Sequence, residues 1–257
     1  MRVSPPLLVW LALNATVCGA QEPARIFVGC PVYRDTDNGR KSGCWLATDP
    51  ETGERYDISQ GRSKPQLGRE VLVEGRLDVT SPQACGAPVL VPVHVSVLAG
   101  SCPGFVLPAE GYPGRRYEVP AGQVLPPADV VRPPLEPPFG PRSWSIAFGY
   151  RSDFLQYQYS EVILDQIGRY VVASHPREVV IVGYAVTADR VVSGHHLSEP
   201  KELARSRADM VREALVRLGV APGLVHVSTA VSPPPSGAVD DGFEASSRRR
   251  VDISVVY

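Results

Sequence analysis

The chain has 257 residues, enough for one or two domains and at least one sizeable core, so a single tiny module is excluded. Lys and Arg number 26 against 27 Asp and Glu, a net charge of −1, which provides no basic field for a phosphate backbone or an anionic membrane surface and excludes nucleic acid as an expected partner. Prolines number 26, about twice average usage, and 11 of them lie between Pro103 and Pro141, so the composition itself marks a linker.

Residues 1–20 read as a secretory signal peptide. An apolar run from Leu7 to Val17 is followed by the small-residue ending Cys18-Gly19-Ala20. The run is too short to span a bilayer, which takes about 20 residues. Bulky Val17 before Cys18 argues against lipidation at that cysteine. Export leaves Cys30, Cys44, Cys85 and Cys102, an even set in an oxidising compartment, which implies disulfides. Closeness in sequence favours Cys30 with Cys44 and Cys85 with Cys102. No C-x-x-C pair and no Cys/His cluster stands at ligand spacing, so no metal and no cofactor is expected.

Residues 21–102 carry short β-rich runs at Arg25–Tyr33, Cys44–Ala47, Arg55–Ile58, Arg69–Val79 and Leu90–Leu98, punctuated by turn residues such as Asp37-Asn38-Gly39 and Thr52-Gly53. Five strands without helical period predict a small, closed or nearly closed all-β barrel, OB-like by analogy of strand count. Asp35-Thr36-Asp37-Asn38-Gly39-Arg40 opens like a calcium loop, but Gly39, Arg40 and Leu46 stand where an oxygen ligand, glycine and a bidentate glutamate are needed, so it reads as a polar turn. Trp45 is expected in the core. Residues 103–142, with three Pro-Pro pairs, predict an extended spacer reaching on the order of 80 Å; the alternative is a proline-rich strap along one domain that ties the two together.

Residues 143–257 change to alternating strands and helices. Ser145–Tyr150 is a short strand, Ser160 caps a helix with the stripe Ile163, Ile167, Tyr170 and Val171, and Val179–Tyr184 is an apolar strand buried on both faces. A second helix runs from near Pro200 to Leu218, with Ala204, Ala208, Val211, Leu215 and Leu218 on its stripe and Gly219 as its stop. Leu224–Val231 and Val251–Tyr257 are strands, which gives the order β-α-β-α-β-β. His195-His196 falls in a loop, where adjacent histidines point apart and make a poor metal site.

Several segments occur in the order of a known family: Val182-Gly183-Tyr184; Leu203-Ala-Arg-Ser-Arg207-Ala208-Asp-Met-Val211; Leu215-Val-Arg-Leu-Gly219-Val220; and Arg248-Arg249-Arg250-Val251-Asp-Ile253. Over about 115 residues the chain resembles the OmpA-like peptidoglycan-associated domain. The resemblance implies an α/β fold and non-covalent binding of the diaminopimelate stem peptide of peptidoglycan in a groove at the mouth of the sheet. It places Arg207 on the ligand carboxylate, where a planar guanidinium can bind bidentately. The departure lies on the anionic side. Where the family has Thr-Asp after the strand, this chain has Ala185-Val186, and Thr187 and Asp189 are candidates for displaced equivalents on a longer loop; the alternative is a site lost from a retained scaffold. Tyr184 and Arg249 complete the candidate peptidoglycan-binding set.

No nucleophile elbow, phosphate loop, dinucleotide fingerprint or H-E-x-x-H segment is present, so a non-enzyme is expected. The sequence therefore reads as an exported cell-envelope protein of the periplasm, associated with the outer membrane or cell wall. Its OmpA-like part binds peptidoglycan, and residues 21–102 serve as a module for an envelope protein partner. The alternative is an envelope assembly or structural factor whose OmpA-like scaffold has lost the wall ligand.

Overall fold

A computed structural model describes residues 23–39, 42–109, 111–115, 124–127, 129–235 and 243–257. The signal-peptide expectation, with Cys18, falls outside them. No helix of the described residues is long and apolar enough to cross a membrane.

The N-terminal half is a seven-stranded sheet in the order β1-β5-β6-β4-β3-β2-β7, built from β1 (Arg25–Gly29), β2 (Pro31–Arg34), β3 (Cys44–Thr48), β4 (Arg55–Asp57), β5 (Arg69–Asp78), β6 (Val89–Ser101) and β7 (Val106–Leu107). The expected closed barrel is not formed by hydrogen bonding, because β1 and β7 remain the edges of the order. One residue, Cys30, separates β1 from β2, and Pro31 has no N–H to continue a ladder, so the stretch bends there. β1 pairs with β5 while β2 turns away to β3. The core of this half holds Phe27, Tyr56, Ile58, Val71, Val73 and Leu90, with Trp45 packed against it.

Cys30, Cys44, Cys85 and Cys102 are all bridged, in a pairing different from that favoured by closeness in sequence. Cys30 bonds Cys102, and Cys44 bonds Cys85, across separations of 72 and 41 residues. The sheet brings distant strands side by side, so proximity in space overrides proximity in sequence. The turn at Asp35–Gly39 is consequently not held by a Cys30–Cys44 bridge; backbone bonds from Asp37 to Tyr112 and from Gly39 to Thr36 shape it.

The C-terminal half is a four-stranded sheet, β12-β9-β13-β8, formed by β8 (Arg142–Ala147), β9 (Glu178–Ala185), β12 (Val225–Val231) and β13 (Arg250–Val256). Helices α1 (Tyr159–Ser174) and α2 (Leu203–Arg217) pack on it, which reproduces the expected β-α-β-α-β-β order. A hairpin, β10 (Arg190–Val192) with β11 (His195–Leu197), and the short α3 (Glu244–Ser247) are added. Ser160 is not the cap of α1. Gln158 caps it, in a box with Glu161, while the Ser160 hydroxyl accepts the Gln156 N–H inside the first turn. Gly219, at φ 96°, ends α2 as expected: its N–H reaches the Val216 carbonyl and that of Val220 reaches Leu215, the hydrogen bonds of a Schellman stop. Leu218, expected on the buried stripe, is 45% exposed at this turn. Gly183 on β9 lets α2 approach, since a Cβ there would lie 2.0 Å from the Ala204 carbonyl oxygen.

The two halves are in direct contact, so the Pro-rich segment does not hold them apart as an extended spacer. Its described residues 129–141 are tied to α1: Arg132 forms a bidentate pair with Asp165, Arg169 donates to the Pro133 carbonyl, and Gly140 exchanges hydrogen bonds with the Tyr170 hydroxyl. Between the halves, Val28 and Leu72 pack with Tyr150 and Val192, all buried. The Tyr150 N–H donates to the Ser96 hydroxyl at 2.9 Å, the Val28 N–H to the Ser193 hydroxyl at 3.1 Å, and the Gln156 amide to the Ser63 hydroxyl at 2.9 Å. Strand β5 explains the seam. Its alternate residues Val71 and Val73 face the N-terminal core, and Leu72 and Glu74 face the C-terminal half.

Candidate functional site

The mouth of the C-terminal sheet is framed by the end of β9, the first turns of α2, the loop after β8 and the segment 186–202 that contains the β10–β11 hairpin. Arg207 projects from α2 into this frame and is completely buried. A guanidinium has five N–H donors, and all five are engaged. Nε donates to the Ser152 carbonyl, and Nη1 to the Tyr184 carbonyl and to Glu199 Oε2 at 2.9 Å. Nη2 donates to the Gly149 carbonyl and to Glu199 Oε1 at 2.7 Å. The guanidinium also lies 5.4 Å from the centre of the Phe148 ring.

Glu199 thus supplies, from within the chain, the bidentate carboxylate that a ligand would have to bring. Its remaining lone pairs accept the backbone N–H groups of Val186 and Arg151, each at 2.9 Å. Burial alone would raise the Glu199 carboxyl, but the hydrogen bonds and charge of Arg207 and the two backbone donors outweigh it and hold the carboxyl below its usual range. The carboxylate that pairs with Arg207 is Glu199, and Thr187 and Asp189 bond elsewhere. Asp189 is exposed and bonds His196 Nδ1 at 2.7 Å, while the Thr187 hydroxyl meets that of Ser232 at 3.2 Å. The histidines expected in a solvated loop lie on β11, with His195 near Glu70 at 3.8 Å.

Tyr184 joins the network through its carbonyl, while the Arg250 guanidinium stands 4.8 Å from the centre of its ring and burial raises its phenol pKa. Each member of the Arg248–Arg250 run has an acidic partner. Arg248 pairs with Glu244, Arg250 with Asp252, and Arg249 crosses the seam to Glu74 of β5. Glu74 and Arg249 are 1% and 4% exposed, so this pair is out of water. His94 stands opposite Glu74 on β6, with its ring 5.8 Å from that of Phe243, and burial pushes its pKa down to about 4.

The Arg207 site itself is filled by the chain. A cavity of about 40 Å³ remains between Ile26, Leu72, Tyr150, Val192 and Leu197, room for a water or two, and an open groove of about 550 Å³ adjoins it, lined by Glu74, Val186, Ala188, Asp189, Arg190 and Arg248. Of the five residues expected to bind peptidoglycan, the structure brings Arg207 and Tyr184 together, sets Arg249 at the seam, and leaves Asp189 and Thr187 on the outside. Among the described residues, the His/Cys/Asp/Glu group spaced to hold a metal is Cys44, Asp57 and Cys85; its two sulfurs form a disulfide, and Asp57 pairs with Arg115.

No protein-family model matches the chain, and neither does any curated protein. Solved structures do. The OmpA-like domain of FopA1 from Francisella tularensis subsp. tularensis SCHU S4 is 18% identical with a TM-score of 0.36, over 45% of this chain and 71% of that one. The C-terminal half is similar to OmpA-like domains. The peptidoglycan-associated lipoprotein from Burkholderia pseudomallei is 26% identical over 44% of this chain and 89% of its own, with a TM-score of 0.35. The cell wall anchor of the T6SS from Pseudomonas aeruginosa is 17% identical over 45% and 81%, with a TM-score of 0.34. Each likeness covers less than half of this chain, so the function of the OmpA-like half has to be argued from its own residues.

Proposed function

We propose that this is an exported, periplasmic cell-envelope protein that keeps an OmpA-like scaffold for structural or assembly contacts and does not hold diaminopimelate at Arg207. One observation carries the reading: every N–H of the Arg207 guanidinium is bonded within the chain, two of them to the buried carboxylate of Glu199. A ligand carboxylate would have to displace Glu199 and leave it buried without a counterion, a cost of several kcal/mol per stranded charge. Placement outside the cytoplasm is supported by two disulfides among the described residues. A non-enzymatic role is supported by the closed pairing of buried charges among the described residues, Arg207 with Glu199 and Arg249 with Glu74. In the N-terminal half, the bent β1–β2 stretch places one strand at an edge of the order and the other next to the opposite edge, which supports reading that half as an open OB-like barrel.

The test is a sacculus pull-down of the mature chain, residues 21–257, beside Asp189→Ala. The expected result is equal recovery of wild type with and without sacculi. Sedimentation of wild type with sacculi, lost in Asp189→Ala, would restore the peptidoglycan-binding reading that the motif order implies.

A further inference from the structure

We infer that the N-terminal sheet is a displaceable cap over the OmpA-like half, latched by the Glu74–Arg249 pair. It rests on the reading of that half as a scaffold for assembly contacts and adds what covers the Arg249 side of the scaffold. Each half has a core of its own, one around Ile181 and Leu215, the other around Phe27 and Val73. The cluster that joins them is smaller than either, with four buried members and the partly buried Ile26, Leu98 and Leu197 packed against them, and it is separate from both cores.

The rest of the seam holds Phe243 against His94 and Arg76, the Glu74–Arg249 pair, and the hydrogen bonds of Val28 with Ser193, Tyr150 with Ser96, and Gln156 with Ser63. Parting returns these groups to water, which repays the desolvation of the buried charges and makes the closed state a near balance of opposing terms. Two non-glycine residues at the seam, Arg151 and Ser193, hold φ of 52° and 47°, left-handed conformations that L side chains adopt at a cost. Both serve the closed mouth. The Arg151 N–H bonds Glu199, and the Ser193 hydroxyl receives Val28. Leu72 and Glu74 of β5 are the parts of the cap that enter the mouth, so the Arg249 side of the mouth is reachable only when β5 lifts.

Residue-resolved amide hydrogen exchange on the mature chain tests this without any wall material, so its result is independent of the pull-down. In Glu74→Gln, the amides of Val28 and Tyr150, which bond across the seam, are expected to exchange at least about tenfold faster, while Ile181 and Val73 in the two cores keep wild-type rates. The swap Glu74→Arg with Arg249→Glu is expected to restore protection. In wild type, the seam amides should open with a smaller urea dependence than the core amides, a measurement that needs no variant. The inference is overturned if seam exchange is unchanged in Glu74→Gln, or if seam and core amides of wild type open together with one urea slope. In the second case the two halves are a single cooperative core and the contact is not a cap.

Discussion

Arg207 shows how one residue type in one register can carry two opposite meanings. In the OmpA-like motif it implies a ligand-binding cation, and here the same guanidinium is an internal tie linking α2 to three loop or strand carbonyls and to Glu199. A buried pair of this kind is destabilised far more by losing one partner than by losing both, because the survivor is left charged and dry. Arg207→Ala and Glu199→Gln are each expected to lower folding stability by about 3–5 kcal/mol in denaturant titration. The sign of the pH effect follows from the Glu199 carboxyl being held below its usual range. The unfolded carboxyl takes up its proton first as pH falls, near its ordinary value of about 4.3, so the stabilisation is complete above that pH and is lost as pH drops through the lower folded value. Glu199→Gln should therefore be less stable at neutral pH and lack this part of the acid-induced loss, which titrations at pH 7 and pH 3 would show.

At the scale of elements, the strands and both long helices were legible because their signals are local: alternation in β5, a 3.6-residue stripe in α2, and a glycine stop at Gly219. What the sequence hid was pairing over distance. Glu74 stands among alternating apolar and charged residues, and nothing near it in sequence points to Arg249, which covers it from 175 residues away. Glu199 is visible in the sequence as an acid just before α2, eight residues ahead of Arg207, but the family pattern places its acid after Tyr184. The disulfides differ for the same reason: closeness in sequence favours Cys30 with Cys44, whereas strand adjacency joins Cys30 to Cys102 and Cys44 to Cys85. The observed pairs close loops of 72 and 41 residues, and on the chain-entropy account each restrains the unfolded chain by about 4 kcal/mol. Cys30→Ser with Cys102→Ser is expected to lose about that much stability, and peptide mapping of the unreduced protein should recover Cys30 joined to Cys102 and Cys44 to Cys85. Recovery of a Cys30–Cys44 peptide would contradict the strand order.

For the whole molecule, the proline excess that suggests an extended spacer has a different consequence. Proline fixes φ whether the chain runs free or lies on a surface, so composition alone cannot separate a spacer from a strap. Side-chain anchors can, and Arg132 on Asp165 and Arg169 on Pro133 bind residues 129–141 to α1. With the strap laid down and Tyr150, Val192 and Arg249 covered by β1 and β5, the two halves form one closed body. Small-angle scattering distinguishes this from the spacer arrangement by a wide margin. A compact chain of the mature length has a radius of gyration of about 18 Å, whereas two separate lobes at the ends of a polyproline spacer would exceed about 30 Å. Wild type is expected near the lower value, and Glu74→Gln, which removes the carboxylate that Arg249 meets across the seam, should shift toward the larger one with both disulfides intact. A wild-type value at the larger figure would mean that the buried Glu74–Arg249 pair does not hold in solution.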